Sequence, residues 1–571
     1  MALKIISFIF VLSLAFGIQN PTQVKDVPFN VNDVINRVTT RHSQPPDPQP
    51  LTPDLTGEFM IDTNVVYVPA PGWQDYPSVA FDGTNYLVVW QDGRFSDDIY
   101  GARVNQAGQV LDPAGIAIST ADYGQYSPSV AFDGTNYLAI WVDNRSGSPD
   151  IYGARVSQAV QILDPTGIVI STGANSQGSP SVAFDGTSYL IVWEDERSVY
   201  TDIYGARVNP TGQVLDPEGI AISTAAYGQS SPSIAFDGIN YLVVWEDSHG
   251  SDDIYGARVN QAGQVLDPEG IAISTADYGQ YSPSVAFDDT NYLVVWEDYH
   301  NSGSYTDIYG TRVSQAGQIL DPAGIAISTA NNDQWYPSLA FDGTNYLVVW
   351  EDNRNGETAD IYGARVNQAG QVLDPTGIAI STNPYDQAYP SVAFDGTNYL
   401  IVWEDWCSDY PDIYGAMVNQ AGVVIDSFAV TVKSGDQLSP NLAKGSGNQV
   451  LITYSGWTDE YIGRTYDAMR IWGKFYPFIG IGEEISKVKM QSAKLLEVYP
   501  NPAKTYFAIR LPQTADRSLL KIFDVSGKLI KEIATPSARN DGEVLVSLKG
   551  INPGIYFLRF GTETRKFLVI R

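Results

Sequence analysis

The sequence predicts an all-β chain: an eight-bladed β-propeller with a split closing blade, followed by a small Ig-like β-sandwich. Three observations carry that expectation. Prolines at Pro77, Pro128, Pro180, Pro232, Pro283, Pro337, Pro390 and Pro440 open near-identical segments, spaced by 51, 52, 52, 51, 54, 53 and 50 residues; a fixed period of this size marks a repeat architecture. Each segment carries four short strand signals rather than a helical period. The chain has 51 Gly and 33 Pro, which suit turns and short strands.

The copy starting at Pro77 shows the elements in order. Strand A is Val79 to Phe81, and Asp82-Gly83-Thr84-Asn85 supplies a tight hairpin. Strand B, Tyr86 to Trp90, is apolar throughout, as expected when both sheet faces are covered. Strand C runs from Ile99 to Val104. Strand D lies around Val110 to Ser119, with Asp112-Pro113 as an irregularity suited to an edge. The eighth copy keeps strand B (Val450 to Tyr454) and a C-like stretch (Ala468 to Trp472) but loses strand D. A substitute stands at the front: Gly57-Glu58-Phe59-Met60-Ile61-Asp62 aligns with Gly370-Gln371-Val372-Leu373-Asp374. An N-terminal strand completing the last blade would latch the ring and remove its open edges. Seven blades with a vestigial tail, or an open stack, are the alternative readings.

Length and charge bound the rest. At 571 residues the chain allows several domains. Residues 1–17 read as a secretory signal, with Lys4 ahead of an apolar run too short to span a bilayer. Residues 18–56, including Ser43 to Pro50, read as a disordered spacer, 57–475 as the propeller and 476–494 as a linker. The net charge of -31 argues against nucleic acid. No lysine lies between Lys25 and Lys433, whereas residues 495–571 hold 12 Lys+Arg against 7 Asp+Glu; subtracting that +5 from -31 leaves -36 for the remainder. A soluble monomer with no transmembrane segment is expected. A single cysteine, Cys407, excludes an internal disulfide and multi-cysteine metal sites.

Residues present in every copy point to packing. Trp90 and its equivalents read as inter-blade core. The Asp before Ile-Tyr-Gly (Asp98 and equivalents) reads as a turn cap and Arg103 and its equivalents as ion-paired strand residues, or as a cation site in each blade. Gln74, Gln125, Gln177, Gln229, Gln280, Gln334, Gln387 and Gln437 stand three residues before each proline. Their amides suit an inter-blade polar ring or a ring at the channel mouth.

Antiparallel strands put the B–C and D–A loops on one face. These loops vary, while the A–B and C–D turns barely change, and variable loops on a rigid scaffold carry binding. Aromatic residues gather there: Trp73, Tyr76, Tyr126, Tyr281, Tyr305, Trp335, Tyr336, Tyr389, Trp406 and Tyr410 are the candidate ligand-binding residues, beside Asp, Asn and Gln. Catalytic residues are not expected. No nucleophile elbow is visible, and His249 and His300 occupy the slot of Arg94, Arg145, Arg197 and Arg354, as does Cys407. No metal or cofactor is expected, although the acidic ring leaves calcium open; no EF-hand-type loop is present.

The C-terminal residues 495–571 alternate short strands: Tyr506 to Leu511, Leu519 to Phe523, Val544 to Leu548, Ile555 to Phe560 and Lys566 to Ile570. Four motifs appear in order: Tyr499-Pro500-Asn501-Pro502, Ile522-Phe523-Asp524-Val525-Ser526-Gly527-Lys528, Ile551-Asn552-Pro553-Gly554-Ile555-Tyr556 and Lys566-Phe567-Leu568-Val569-Ile570-Arg571. This segment resembles the C-terminal sorting domain of type IX (Por) secretion cargo. The resemblance implies the type IX machinery as a partner, a Gram-negative host, and secretion or display at the outer cell surface. The repeats resemble tandem propeller repeats of secreted bacterial proteins. The combined expectation is a secreted or cell-surface scaffold that recognises a glycan or protein. The alternative is a secreted polysaccharide- or peptide-processing enzyme.

Overall fold

The computed structural model describes residues 57–62, 72–94, 96–299, 305–407, 410–461 and 464–477, together with the strands found between 497 and 569. The signal and spacer expectations and residues 478–494 of the expected linker lie outside the described residues, as does His300.

Among the described residues, every element is a strand, and eight four-stranded antiparallel sheets follow one another. Blade 1 comprises strand A (Gln74–Phe81), strand B (Asn85–Asp92), strand C (Asp98–Asn105) and strand D (Ile116–Ser119). Blades 2 to 7 repeat this order from Gln125, Gln177, Gln229, Gln280, Gln334 and Gln387. Strand B holds the ring together. Leu87 and Val89 point to blade 2, against Tyr137, Ala139 and Trp141. Tyr86, Val88 and Trp90 point the other way, against Leu451, Ile471 and Phe475 of blade 8. All five residues from Tyr86 to Trp90 are fully buried, so each blade supplies apolar side chains to both joints.

The hairpin at Asp82-Gly83-Thr84-Asn85 is set by its first residue. Asp82 Oδ1 accepts the N–H groups of Thr84 and Asn85 at 2.7 and 2.6 Å, and Gly83 takes φ +92°. The Tyr137 hydroxyl of blade 2 then donates to the Asn85 carbonyl at 3.0 Å, tying this turn to its neighbour.

Strand D is shorter than the sequence suggests. Val110 makes one bridge to Val104, and the ladder resumes only at Ile116. The intervening Asp112 accepts the Arg103 guanidinium at 2.8 and 3.0 Å. Arg103 Nη1 also donates to the Gln158 carbonyl of blade 2 at 2.8 Å. The same pairing recurs at Arg155, Arg207, Arg258, Arg312 and Arg365. Thus the arginine's partner is the Asp of Asp-Pro. In blade 7 Met417 replaces it and is buried against blade 8.

The eighth blade is closed by the front of the chain. Its strands are Gln437–Lys444, Val450–Tyr461, Arg464–Tyr476 and Glu58–Met60. Glu58, Phe59 and Met60 pair with Lys474, Gly473 and Trp472. Gly473 holds the place of Gly101, whose partner is Ile116. Phe59 therefore stands where Ile116 stands, and Asp62 where Ser119 stands. The sequence alignment of this strand with Gly370–Asp374 is corrected: it replaces the Ile-Ala-Ile-Ser strand. Gly473 leaves room for the Phe59 ring, since a Cβ there would lie 2.7 Å from it. Asp62 accepts Gln74 Nε2 at 2.7 Å and pairs with Arg94 of blade 1.

The C-terminal strands form a three-stranded sheet (Glu497–Tyr499, Tyr506–Arg510, Glu543–Ser547) and a four-stranded sheet (Leu520–Asp524, Leu529–Ile533, Gly554–Phe560, Glu563–Val569).

Candidate recognition face

The B–C and D–A loops share one end of the blades, and the start of strand A builds that end. Every A–B pairing slips just ahead of the repeated proline, for example between Tyr281 and Ser284. Proline has no N–H for the ladder, so a bulge forms there. The residue before it is left-handed in all eight blades: φ is +54° at Tyr76, +51° at Tyr336 and +53° at Tyr389. That conformation is costly outside glycine and persists only when its surroundings hold it.

A glutamate does so in five joints, buried at Glu297, Glu351 and Glu404 and half-buried at Glu194 and Glu246. Glu194, Glu246, Glu297, Glu351 and Glu404 accept the N–H groups of Ser231, Ser282, Tyr336, Tyr389 and Ser439 in the next blade, at 2.6 to 2.8 Å. Burial pushes the Glu351 carboxyl up to about 8 and the Glu404 carboxyl to about 7, and raises Glu297. Neighbouring carboxylates add to this: Glu297, Glu404 and Asp386 act on Glu351. Sequence reasoning missed these wedges. Their signal is Trp-Glu-Asp in blades 3 to 7, where blades 1 and 2 have Gln91 and Val142.

The eight glutamines are all buried, at 0–2% exposure, inside the joints. Gln125 Nε2 donates to the Tyr123 carbonyl at 2.7 Å, and the Ser119 hydroxyl of blade 1 reaches Gln125 Oε1 at 3.4 Å. Gln229, Gln280, Gln334 and Gln387 fasten their D–A loops in the same way. At the closing joint Gln74 donates to Asp62 and Asp92 instead.

The candidate aromatics divide. Trp73, Tyr76, Tyr305, Tyr336, Tyr389, Trp406 and Tyr410 are exposed. Tyr126, Tyr281 and Trp335 are half-buried. Tyr126 packs on the core of blades 2 and 3, and the Tyr281 hydroxyl donates to Asp252 at 2.7 Å. Tyr336 and Tyr389, on blades 6 and 7, come together with ring centroids 5.1 Å apart. Trp73 meets Trp457 edge-on at 6.5 Å, and Tyr281 meets Tyr299 at 5.9 Å. Four exposed tyrosines were absent from the sequence reading: Tyr123, Tyr227, Tyr278 and Tyr385. Each lies two residues before a repeated glutamine and is left-handed. Every exposed Trp or Tyr among the described residues lies on B–C loops, D–A loops or the first turn of strand A. The opposite face carries the hairpins and arginine staples.

At the outer edge of this face, Asp92, Asp143, Asp195 and Asp352 are buried beneath Arg94, Arg145, Arg197 and Arg354. Cys407 occupies the same place in blade 7 and is exposed, with its sulfur 3.7 Å from the Tyr414 hydroxyl. Among the described residues no three His, Cys, Asp or Glu side chains gather in a way that would hold a metal ion. No described helix is long and apolar enough to cross a membrane.

Comparison with known proteins adds one assignment. Residues 497–571 match the secretion system C-terminal sorting domain family. This type IX tail marks secreted or cell-surface proteins, so export through that secretion machinery is the fate of the chain. No curated protein matches the chain in sequence. Among solved structures, a puromycin-hydrolysing peptidase of Mycobacterium tuberculosis is 13% identical with a TM-score of 0.40; the match covers 72% of this chain and 59% of that one. A family PL25 ulvan lyase is 12% identical with a TM-score of 0.41, covering 63% of this chain and 97% of the lyase. The propeller domain of the Trilobed protease from Pyrococcus furiosus is 9% identical with a TM-score of 0.39, covering 64% and 99%.

Proposed function

We propose that the propeller is a non-catalytic recognition scaffold, exported in a Gram-negative bacterium after removal of an N-terminal signal. It presents its B–C and D–A face to an extracellular glycan or polypeptide. The observation that carries this reading is the Tyr336–Tyr389 pair. Two exposed rings are held side by side at strained backbone positions, each anchored by a buried carboxylate of the preceding blade. The left-handed position belongs to every blade, but five blades fill it with serine, and tyrosine stands there only in blades 1, 6 and 7. Rigid aromatic surfaces beside polar groups suit a sugar ring or an apolar side chain, at small entropic cost.

The test compares the secreted protein with a Tyr336→Ala, Tyr389→Ala variant on a glycan array and on a panel of extracellular proteins. Loss of stacking should weaken the bound ligand by roughly tenfold. A ligand held equally well by both proteins would refute this face, and the absence of any ligand would refute the recognition role.

A further inference from the structure

Four blades contain a built receptor for a guanidinium group, filled by the chain's own arginine. In blades 1, 2, 3 and 6 the strand-B aspartate receives Arg Nε on one oxygen and Nη2 on the other, at 2.6 to 2.8 Å. The guanidinium lies over Tyr100, Tyr152, Tyr204 or Tyr362, with its carbon 3.7 to 4.3 Å from the ring centre. In blades 2, 3 and 6 its Nη1 donates to the carbonyl just before the glycine that opens strand D. These arginine side chains remain 12–23% exposed, so the slot opens to solvent.

Blade 4 keeps the receptor without the arginine. His249 stands in its place: its backbone N–H donates to Asp247 Oδ1 at 3.2 Å, and its ring meets Tyr227 edge-on at 5.4 Å. Asp247 stays 3% exposed and holds the Trp245 indole only at 3.4 Å, while burial raises its carboxyl. Gly115, Gly167, Gly219 and Gly377 lie against arginine nitrogens, whereas the nearest neighbours of the equivalent Gly270 are the Tyr255 and Trp245 rings. The Asp247 carboxylate and the Tyr255 ring therefore stand as they do in four filled copies, and Glu269 holds the sequence position of Thr166, Glu218 and Thr376.

We propose that the blade-4 slot, built on Asp247 and Tyr255, takes an arginine side chain of a polypeptide partner. This deepens the recognition reading and rests on it. Two-point carboxylate bonding combined with stacking on a ring selects a planar guanidinium over a compact ammonium. The net charge of -31 draws a basic partner towards the chain.

The test uses the full chain and a Gly/Ser hexapeptide carrying one arginine, with citrulline and lysine versions as controls, titrated by ligand-observed NMR. The arginine peptide should bind roughly tenfold or more tightly than the citrulline peptide. Asp247→Asn should abolish that preference. His249→Arg should also abolish it by filling the slot internally, while raising the melting temperature, so a poorly folding Asp247 variant leaves the outcome decidable. Equal binding of arginine and citrulline peptides, or an arginine preference that survives His249→Arg, overturns the proposal. If no peptide binds but Tyr336→Ala, Tyr389→Ala still costs the extracellular ligand, the slot fails and the recognition face stands. If neither ligand binds, both fail.

Discussion

Replacing Glu351 by glutamine should stabilise the ring at alkaline pH and leave it nearly unchanged in acid. The wedge accepts the Tyr389 N–H at 2.6 Å, a bond that an amide oxygen can keep. Burial, reinforced by Glu297, Glu404 and Asp386, lifts this carboxyl from an ordinary 4.5 to about 8. The folded state thus holds its proton more tightly than the unfolded chain. Stability from this group is complete below pH 4.5 and is lost as pH rises through 8. At 1.36 kcal/mol per pH unit the separation amounts to about 5 kcal/mol, and relaxation of the joint reduces it to about 2–5 kcal/mol. A ring of about 420 residues unfolds with roughly 0.9 kcal/mol/K of entropy, which converts this to about 2–6 °C. Calorimetry on both proteins at pH 5 and pH 9 should show the variant ahead by that margin only at pH 9. An equal difference at both pH values, or a variant that melts lower at pH 9, would refute the assignment of a neutral buried wedge.

Further outcomes are expected. Glu404→Gln should behave in the same way with its crossover about one pH unit lower, since burial lifts that carboxyl to about 7. Phe59→Ala empties a fully buried site against Phe475 and should cost about 3–5 kcal/mol in thermal melts. Asp62→Ser installs the residue that other blades use; it keeps an acceptor for Gln74, loses the ion pair to Arg94, and should cost only about 1 kcal/mol. Deleting residues 495–571 should leave the protein inside the cell envelope in fractionation, and undiminished export would contradict the sorting role.

The blade count was legible because one apolar strand must serve two joints, and that demand repeats at each proline. The closing strand was legible too, but its register was not. Glu58–Asp62 and Gln371–Asp374 are both short apolar runs between polar ends, and the pairing of Phe59 with Gly473 shows which strand is replaced. The aromatic face followed from loop variability. Its supports did not, because Glu297 and Glu351 act on residues 39 and 38 positions away, in the next blade. No local pattern reveals such a partner; it appears only when the blades are set side by side.

Ring closure by the N-terminal strand is tested most directly by hydrogen exchange of the amides from Phe59 to Ile61. Ile61 donates to the Ile471 carbonyl at 2.8 Å, within a pairing shared with Lys474, Gly473 and Trp472. Protection of these amides should match that of the outer strands Ile168–Ser171 and Ile220–Ser223. Exchange at the rate of an unstructured chain, with the outer strands still protected, would contradict a ring closed in this way.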